Sequence, residues 1–189
     1  MSMPSREKML AAVRASQPAA TPLPVVPAFT GLASVARFTA ALTGISGRVV
    51  VLEGWHALAA AVSQLFPADY RLASAILPAT VAVASNTPID RLAPIDLAVL
   101  RAEFGVAENG TVWLPEAHML HRALPTVTQH LVLVLDQRNI VATMHQAYAQ
   151  LPDVGGYGVF LAGPSKTADI EQSLVIGAHG ARSLTVLLH

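Results

Sequence analysis

The chain has 189 residues, of which 53% are hydrophobic and 13% charged, with 12 basic against 12 acidic side chains and no cysteine. That length suits one domain with a sizeable core, because a domain of this size buries roughly 70% of the surface its unfolded chain exposes. Balanced charge without a basic cluster removes the electrostatic footprint of a nucleic-acid binder, and the lack of cysteine removes disulfides, thiolate nucleophiles and thiolate-held zinc or iron–sulfur clusters.

Charge is scarce for a soluble surface and mean hydropathy is +0.49, which points to a face covered by a partner or by another copy, a homo-oligomer included. No apolar run approaches the roughly 20 residues of a spanning helix. The opening "MSMPSREKMLAAVRASQ" places charges where a signal peptide needs its apolar stretch, so the expected location is the cytoplasm.

In chain order, Ser5 caps a helix running to about Ala15, and residues 18–27, with four prolines, form an extended connector. Residues 1–30 are therefore an N-terminal helix and proline-rich connector, and 31–189 an α/β domain. There, 32–42 reads as a helix, 47–53 as a buried strand and 54–66 as a helix. The stretch 79–85 alternates like a strand, with 70–76 before it less clear-cut. Residues 95–116 give a short strand, a turn around "RAEFG", the elbow "AENG" and the strand "TVWLP". After "EAHMLHRALPTV", a loop with one helical turn, come a strand at 130–136, a helix at 140–151, a strand at 157–163, a helix over "TADIEQSLVIG" and a strand at 183–189. Continuous apolar strands alternating with helices indicate a three-layer α/β fold, its mainly parallel sheet covered by helices on both faces.

The stretch "GPSKTADIE" at 163–171 has two physical readings. A strand running into Gly163-Pro164 and then a helix presents bare backbone N–H groups, with Ser165, Lys166 and Thr167 around them, as an anion site does. Alternatively Thr167 is only an N-cap, and Asp169 and Glu171 complement the helix dipole. Neither nucleotide-binding glycine fingerprint is present. In "GAHG", Gly177 and Gly180 suit a left-handed helix end, and His179 between them is either a loop histidine or a proton-transfer group. "EAHMLH" pairs His118 with His121 at a spacing that suits a metal on a helix, but shows no third ligand, so no metal is assigned. His56 and His145 read as edge-of-core residues, and Phe104, Trp55, Trp113 and Tyr157 as packing aromatics.

"FGVAENGTVWL", "HLVLVLDQRNIV", "GPSKTADIE" and "LVIGAHGARSLTVLL" together resemble the lactate-utilisation (LUD) domain family, of the LutC/YkgG type. Two spaced motifs in the family's order carry the resemblance from Phe104 to the end; residues 1–90 are only compatible with it. Ala178 and Ala181 stand where the family prefers valine and proline. The resemblance implies a fold like that of the NagB, ribose-phosphate isomerase and CoA-transferase group. It also implies membership of a cytoplasmic system that oxidises L-lactate to pyruvate, with iron–sulfur clusters in partner subunits and no cofactor in this chain.

Ligands of parallel sheets approach the carboxyl ends of the strands, so the two signature loops are expected to face each other there. Glu108 would then be the acid, base or nucleophile, and Asn109, Thr111, Ser165, Lys166, Thr167, Asp169 and His179 would bind a small organic acid. Three roles stay open at this point: a cluster-free organising subunit, an enzyme acting on a small acid or activated ester through Glu108 and Lys166, and an organic-acid sensor.

Overall fold

A computed structural model describes residues 4–151, 156–167 and 174–189. Helix α1 (Ser5–Ala15) begins after Pro4, has no side-chain cap and buries no residue. It leads into an extended, exposed connector. Helix α2 (Val35–Gly44) starts where the Ser34 side chain accepts a hydrogen bond from the Arg37 N–H. Then come β1 (Arg48–Val51), a 3₁₀ turn and helix α3 (Leu58–Leu65), β2 (Leu72–Ser74), the single turn α4 (Ile89–Leu92) and β3 (Leu97–Arg101). Next are β4 (Phe104–Val106), β5 (Thr111–Pro115), α5 (Leu124–Val127), β6 (His130–Leu135), β7 (Ile140–Val141) and α6 (Met144–Ala149). The chain closes with β8 (Gly158–Leu161), β9 (Lys166–Thr167), β10 (Val175–Ile176) and β11 (Ser183–Leu188).

The central sheet has the order β1-β11-β6-β3-β2, and every neighbouring pair in it is parallel. Its inner strands are mostly apolar, with Thr185 of β11 buried among them, because both faces are covered. Leu131, Leu133 and Leu135 of β6 share one core with Phe38 and Leu42 of α2 and with Val112 and Leu114 of β5. Val132 and Val134, on the opposite face, pack with Leu58 and Val62 of α3. Helices thus lie on both faces of a mainly parallel sheet, the three-layer α/β arrangement expected.

Beside α2 stands a second sheet, ordered β7-β4-β5-β8, with β4–β5 and β5–β8 antiparallel. Its far face packs Phe104, Val106 and Trp113 against Ala147 of α6. Among the described residues no helix is long and apolar enough to cross a membrane.

Several sequence expectations are corrected. Residues 79–85 form no strand: the Thr80 and Val81 N–H groups both donate to the Leu72 carbonyl, while Val81 and Val83 pack on the core, so their alternation serves burial without a ladder. Part of the "RAEFG" turn is strand β4. The helix read from residue 140 starts at Met144, because Ile140 and Val141 pair with β4. The helix over 167–177 does not stand at either end: Thr167 pairs with Val175 and Lys166 with Ile176, in an antiparallel ladder. Its middle, 168–173, lies outside the described residues.

Candidate functional site

The two signature loops are placed by two glycines. Gly110 has φ +71, and a Cβ there would lie 2.5 Å from the Leu42 backbone nitrogen. Gly163 has φ +74, and a Cβ there would lie 2.6 Å from the Ile45 carbonyl oxygen. Only glycine combines left-handed backbone with so close an approach. Both loops therefore lie against the last turn of α2. The register supports this, since Val112 at the start of β5 pairs with Leu161 at the end of β8.

Within the elbow, the Gly110 N–H donates to the Val106 carbonyl and the Thr111 N–H to Asn109 Oδ1, 3.0 Å away. Thr111 is buried, Asn109 half-buried and Glu108 exposed. In the second loop Lys166 Nζ donates to the Ile45 carbonyl. An ammonium has three donor hydrogens, and among the described residues this is the one acceptor that Lys166 Nζ meets. The Ser165 N–H donates to the Ala181 carbonyl and its own carbonyl accepts from the Gly177 N–H, both at 2.9 Å, which joins "GPSK" to "GAHG". His179, in the latter turn, is exposed. The structure thus brings Asn109, Thr111, Ser165, Lys166 and the His179 turn to one end of the molecule. Among the described residues no hydrogen bond or ion pair joins Glu108 to Lys166. Asp169 lies outside the described residues.

Two expectations about this site are corrected. Thr167 sits in β9, paired with Val175, and is not the N-cap expected of it, while the residues that would follow such a cap, 168–173, lie outside the described residues. The loops also lie at the amino ends of the parallel strands. Ile45 to Gly47 leads directly into β1, and Ala181, which bonds Ser165, precedes β11. The antiparallel returns of β4–β5 and β8 carry the chain from the carboxyl side back across α2.

At the carboxyl ends a cavity of about 240 Å³ is lined by Arg101, Glu103, His118, Asp136 and Asn139. The Arg138 side chain and backbone N–H hold Asp136 well below the usual carboxylate range. Among the described residues His118 Nδ1, buried there, has no hydrogen-bond partner. His121 faces elsewhere, its Nδ1 accepting from the Ala123 N–H at 3.0 Å. Among the described residues no group of three His, Asp or Glu side chains is placed to hold a metal. Glu116 is lowered by its hydrogen bond to Arg122, whose guanidinium also lies 5.6 Å from the centre of the Tyr157 ring. Trp55 and Tyr157, read as packing aromatics, are 44% and 39% exposed.

Sequence reasoning missed a further group at the amino ends. His130 Nδ1 lies 2.7 Å from Ser183 Oγ, and the Tyr70 ring stacks on the imidazole at 5.5 Å. The available signal was a histidine opening the otherwise apolar "HLVLVL", where a purely structural strand has no need of one.

The fold and these loops define a three-layer α/β protein with its signature segments on the amino rim of the central sheet. The LUD domain family model matches residues 59–189, and the chain belongs to that family. A relative from Shouchella clausii called lactate utilization protein C is 30% identical over 102 residues, covering 51% of this chain and 44% of the relative. One of the same name from Oceanobacillus iheyensis is 28% identical over 100 residues, covering 49% and 43%. The chain thus spans less than half the length of these curated relatives. The crystal structure of a DUF162 family protein from Deinococcus radiodurans shares the fold with a TM-score of 0.63 at 18% identity, covering 82% of this chain and 94% of that one.

Proposed function

We propose that this chain is the cluster-free component of a lactate-utilisation system that oxidises L-lactate to pyruvate in the cytoplasm, and that its amino rim binds a small organic acid. The observation that carries this reading is the meeting of both signature loops on the last turn of α2, through Gly110 on Leu42 and Gly163 and Lys166 on Ile45. Membership of the family and the names of the relatives supply the lactate context. Oxidation of lactate to pyruvate releases two electrons and two protons. A chain with no cysteine offers no thiolates to hold an iron–sulfur cluster, so in this reading the electrons pass to clusters in partner subunits. The residues of the rim contribute binding: Lys166 as a point charge beside a carboxylate, with the Ser165 and Thr111 hydroxyls as donors.

The test is genetic and biochemical together. Deleting the gene should abolish growth on L-lactate while growth on pyruvate continues, and affinity-tagged chain should co-purify with proteins that carry iron and acid-labile sulfide. Unchanged lactate consumption in the deletion strain would overturn the proposal.

A further inference from the structure

On the α3 side of the amino rim lies a cavity of about 440 Å³. Its lining includes Arg48 at the start of β1, Phe66 and Tyr70 after α3, His130 at the start of β6, and Ser183 and Thr185 of β11. Among the described residues of that lining Arg48 is the one full charge, and none is a carboxylate. Among the described residues Arg48 forms no ion pair. A guanidinium that none of the described carboxylates pairs, facing a cavity, is matched to one anionic group, bound in a two-pronged fashion.

The remainder of the lining specifies more than an anion. Burial, and next the positive charge of Arg182, push the His130 imidazole below its ordinary value, with Asp96 opposing, so it is neutral near pH 7. A neutral imidazole and a serine hydroxyl joined by one 2.7 Å hydrogen bond leave one donor hydrogen and further lone pairs uncommitted. Such a pair recognises either a hydroxyl or a carbonyl oxygen. Tyr70 lies nearly parallel to the imidazole, at 14°, and Phe66 stands 5.7 Å from it, which makes one wall aromatic. The volume falls in the range of sites for ligands larger than a three-carbon acid.

We infer that this cavity binds a 2-hydroxy or 2-keto carboxylic acid bearing an apolar substituent. Arg48 takes the carboxylate, the His130–Ser183 pair takes the oxygen on the neighbouring carbon, and the substituent lies along Tyr70 and Phe66. A doubly charged phosphate is a poorer match, because a single guanidinium leaves one of its charges unpaired in the lining.

Calorimetric titration of the full chain with phenylpyruvate, pyruvate, L-lactate and inorganic phosphate tests the inference. Phenylpyruvate should bind at least about tenfold more tightly than pyruvate, because it alone covers the aromatic wall. Arg48→Met should weaken phenylpyruvate binding roughly ten- to hundredfold, the loss of a charge-assisted hydrogen-bonded pair, and Ser183→Ala about two- to tenfold. Arg48 is exposed, so the folded amide spectrum of Arg48→Met should match the wild type, and the His130 ring signals should move on titration only with the wild type. No saturation up to roughly 10 mM acid, phosphate binding more tightly than every acid, or binding that survives Arg48→Met would each overturn the assignment. Loss in Lys166→Ala with Arg48→Met unaffected would overturn this cavity while leaving the proposed function in place. Tight binding here, together with unimpaired lactate growth of the deletion strain, would sustain the cavity and overturn the proposed function instead.

Discussion

Replacing Gly110 by alanine tests the placement of both signature loops. The residue has φ +71, and the new Cβ would sit 2.5 Å from the Leu42 nitrogen, 2.7 Å from its Cα and 2.9 Å from its Cβ. Two of these are backbone atoms of a buried helix residue and the third is its Cβ, none of which can rotate away, so either the elbow or the end of α2 must move. Left-handed backbone costs a non-glycine residue about 1–2 kcal/mol, and forced overpacking adds about 1–3 kcal/mol. The expected loss is therefore about 2–5 kcal/mol, or roughly 4–20 °C in Tm for a domain of this size. Urea unfolding followed by circular dichroism gives the difference directly, provided the slope with denaturant is unchanged. Gly44→Ala is the control, since nothing lies within 4 Å of a Cβ built there. It should stabilise the same helix end by about 0.4–1 kcal/mol. A Gly110→Ala protein within about 0.5 kcal/mol of wild type, the level of an ordinary surface change, would refute the packing of the elbow on α2.

Leu133→Ala removes a fully buried side chain from the core between the central sheet and α2 and should cost about 2–5 kcal/mol by the same unfolding assay. The folded-state value of His130 lies below that of the free side chain, 6.5, so the unfolded chain binds the proton first. Stability should hold steady above pH 6.5 and decline as pH falls below it through the folded value, and His130→Gln should flatten that decline in urea titrations at a series of pH values. Removing residues 1–27 takes away α1, which buries nothing, and keeps Phe29, whose ring stacks on His145 at 4.2 Å. The truncated protein should melt within about 2 °C of the full chain, a change below about 1 kcal/mol.

The layered fold was legible because its evidence is local. "TVWLP" is β5 residue for residue, and "HLVLVL" and "SLTVLL" announce strands apolar on both sides. What failed was pairing, which sequence period does not encode. "ATVAVAS" alternates like a strand yet has no ladder partner, and Ile140-Val141 were read into a helix although β4 claims them. The turn residues of the elbow were correctly read from Asn109-Gly110, but nothing local told that Gly110 is needed for Leu42, distant along the chain. His130 and Ser183 are likewise far apart in sequence and meet only because β6 and β11 are neighbours in register, with Ser183 opposite His130.

That register also explains why the rim is on the unexpected end. In a sheet built of successive β–α units, loops after strands gather at the carboxyl edge. Here the signature segments do not follow central strands. One is the hairpin between β4 and β5, the other follows β8, and both belong to the second sheet, whose antiparallel strands return the chain toward the starts of β1, β6 and β11. The turn Ile45–Gly47 then becomes shared ground. Its Ile45 carbonyl accepts from Lys166 on one side, and Ser46 and Gly47 line the His130–Ser183 cavity on the other. Ser46 holds φ 69, a conformation that costs a non-glycine residue about 1–2 kcal/mol and persists only where its surroundings fix it. Gly47, its neighbour, is fixed in turn by donating its N–H to the Leu42 carbonyl at 2.9 Å. The two loops and the cavity therefore bear on one short, constrained turn, so a side chain that displaces α2 at Gly110 is expected to disturb the cavity wall as well as the elbow.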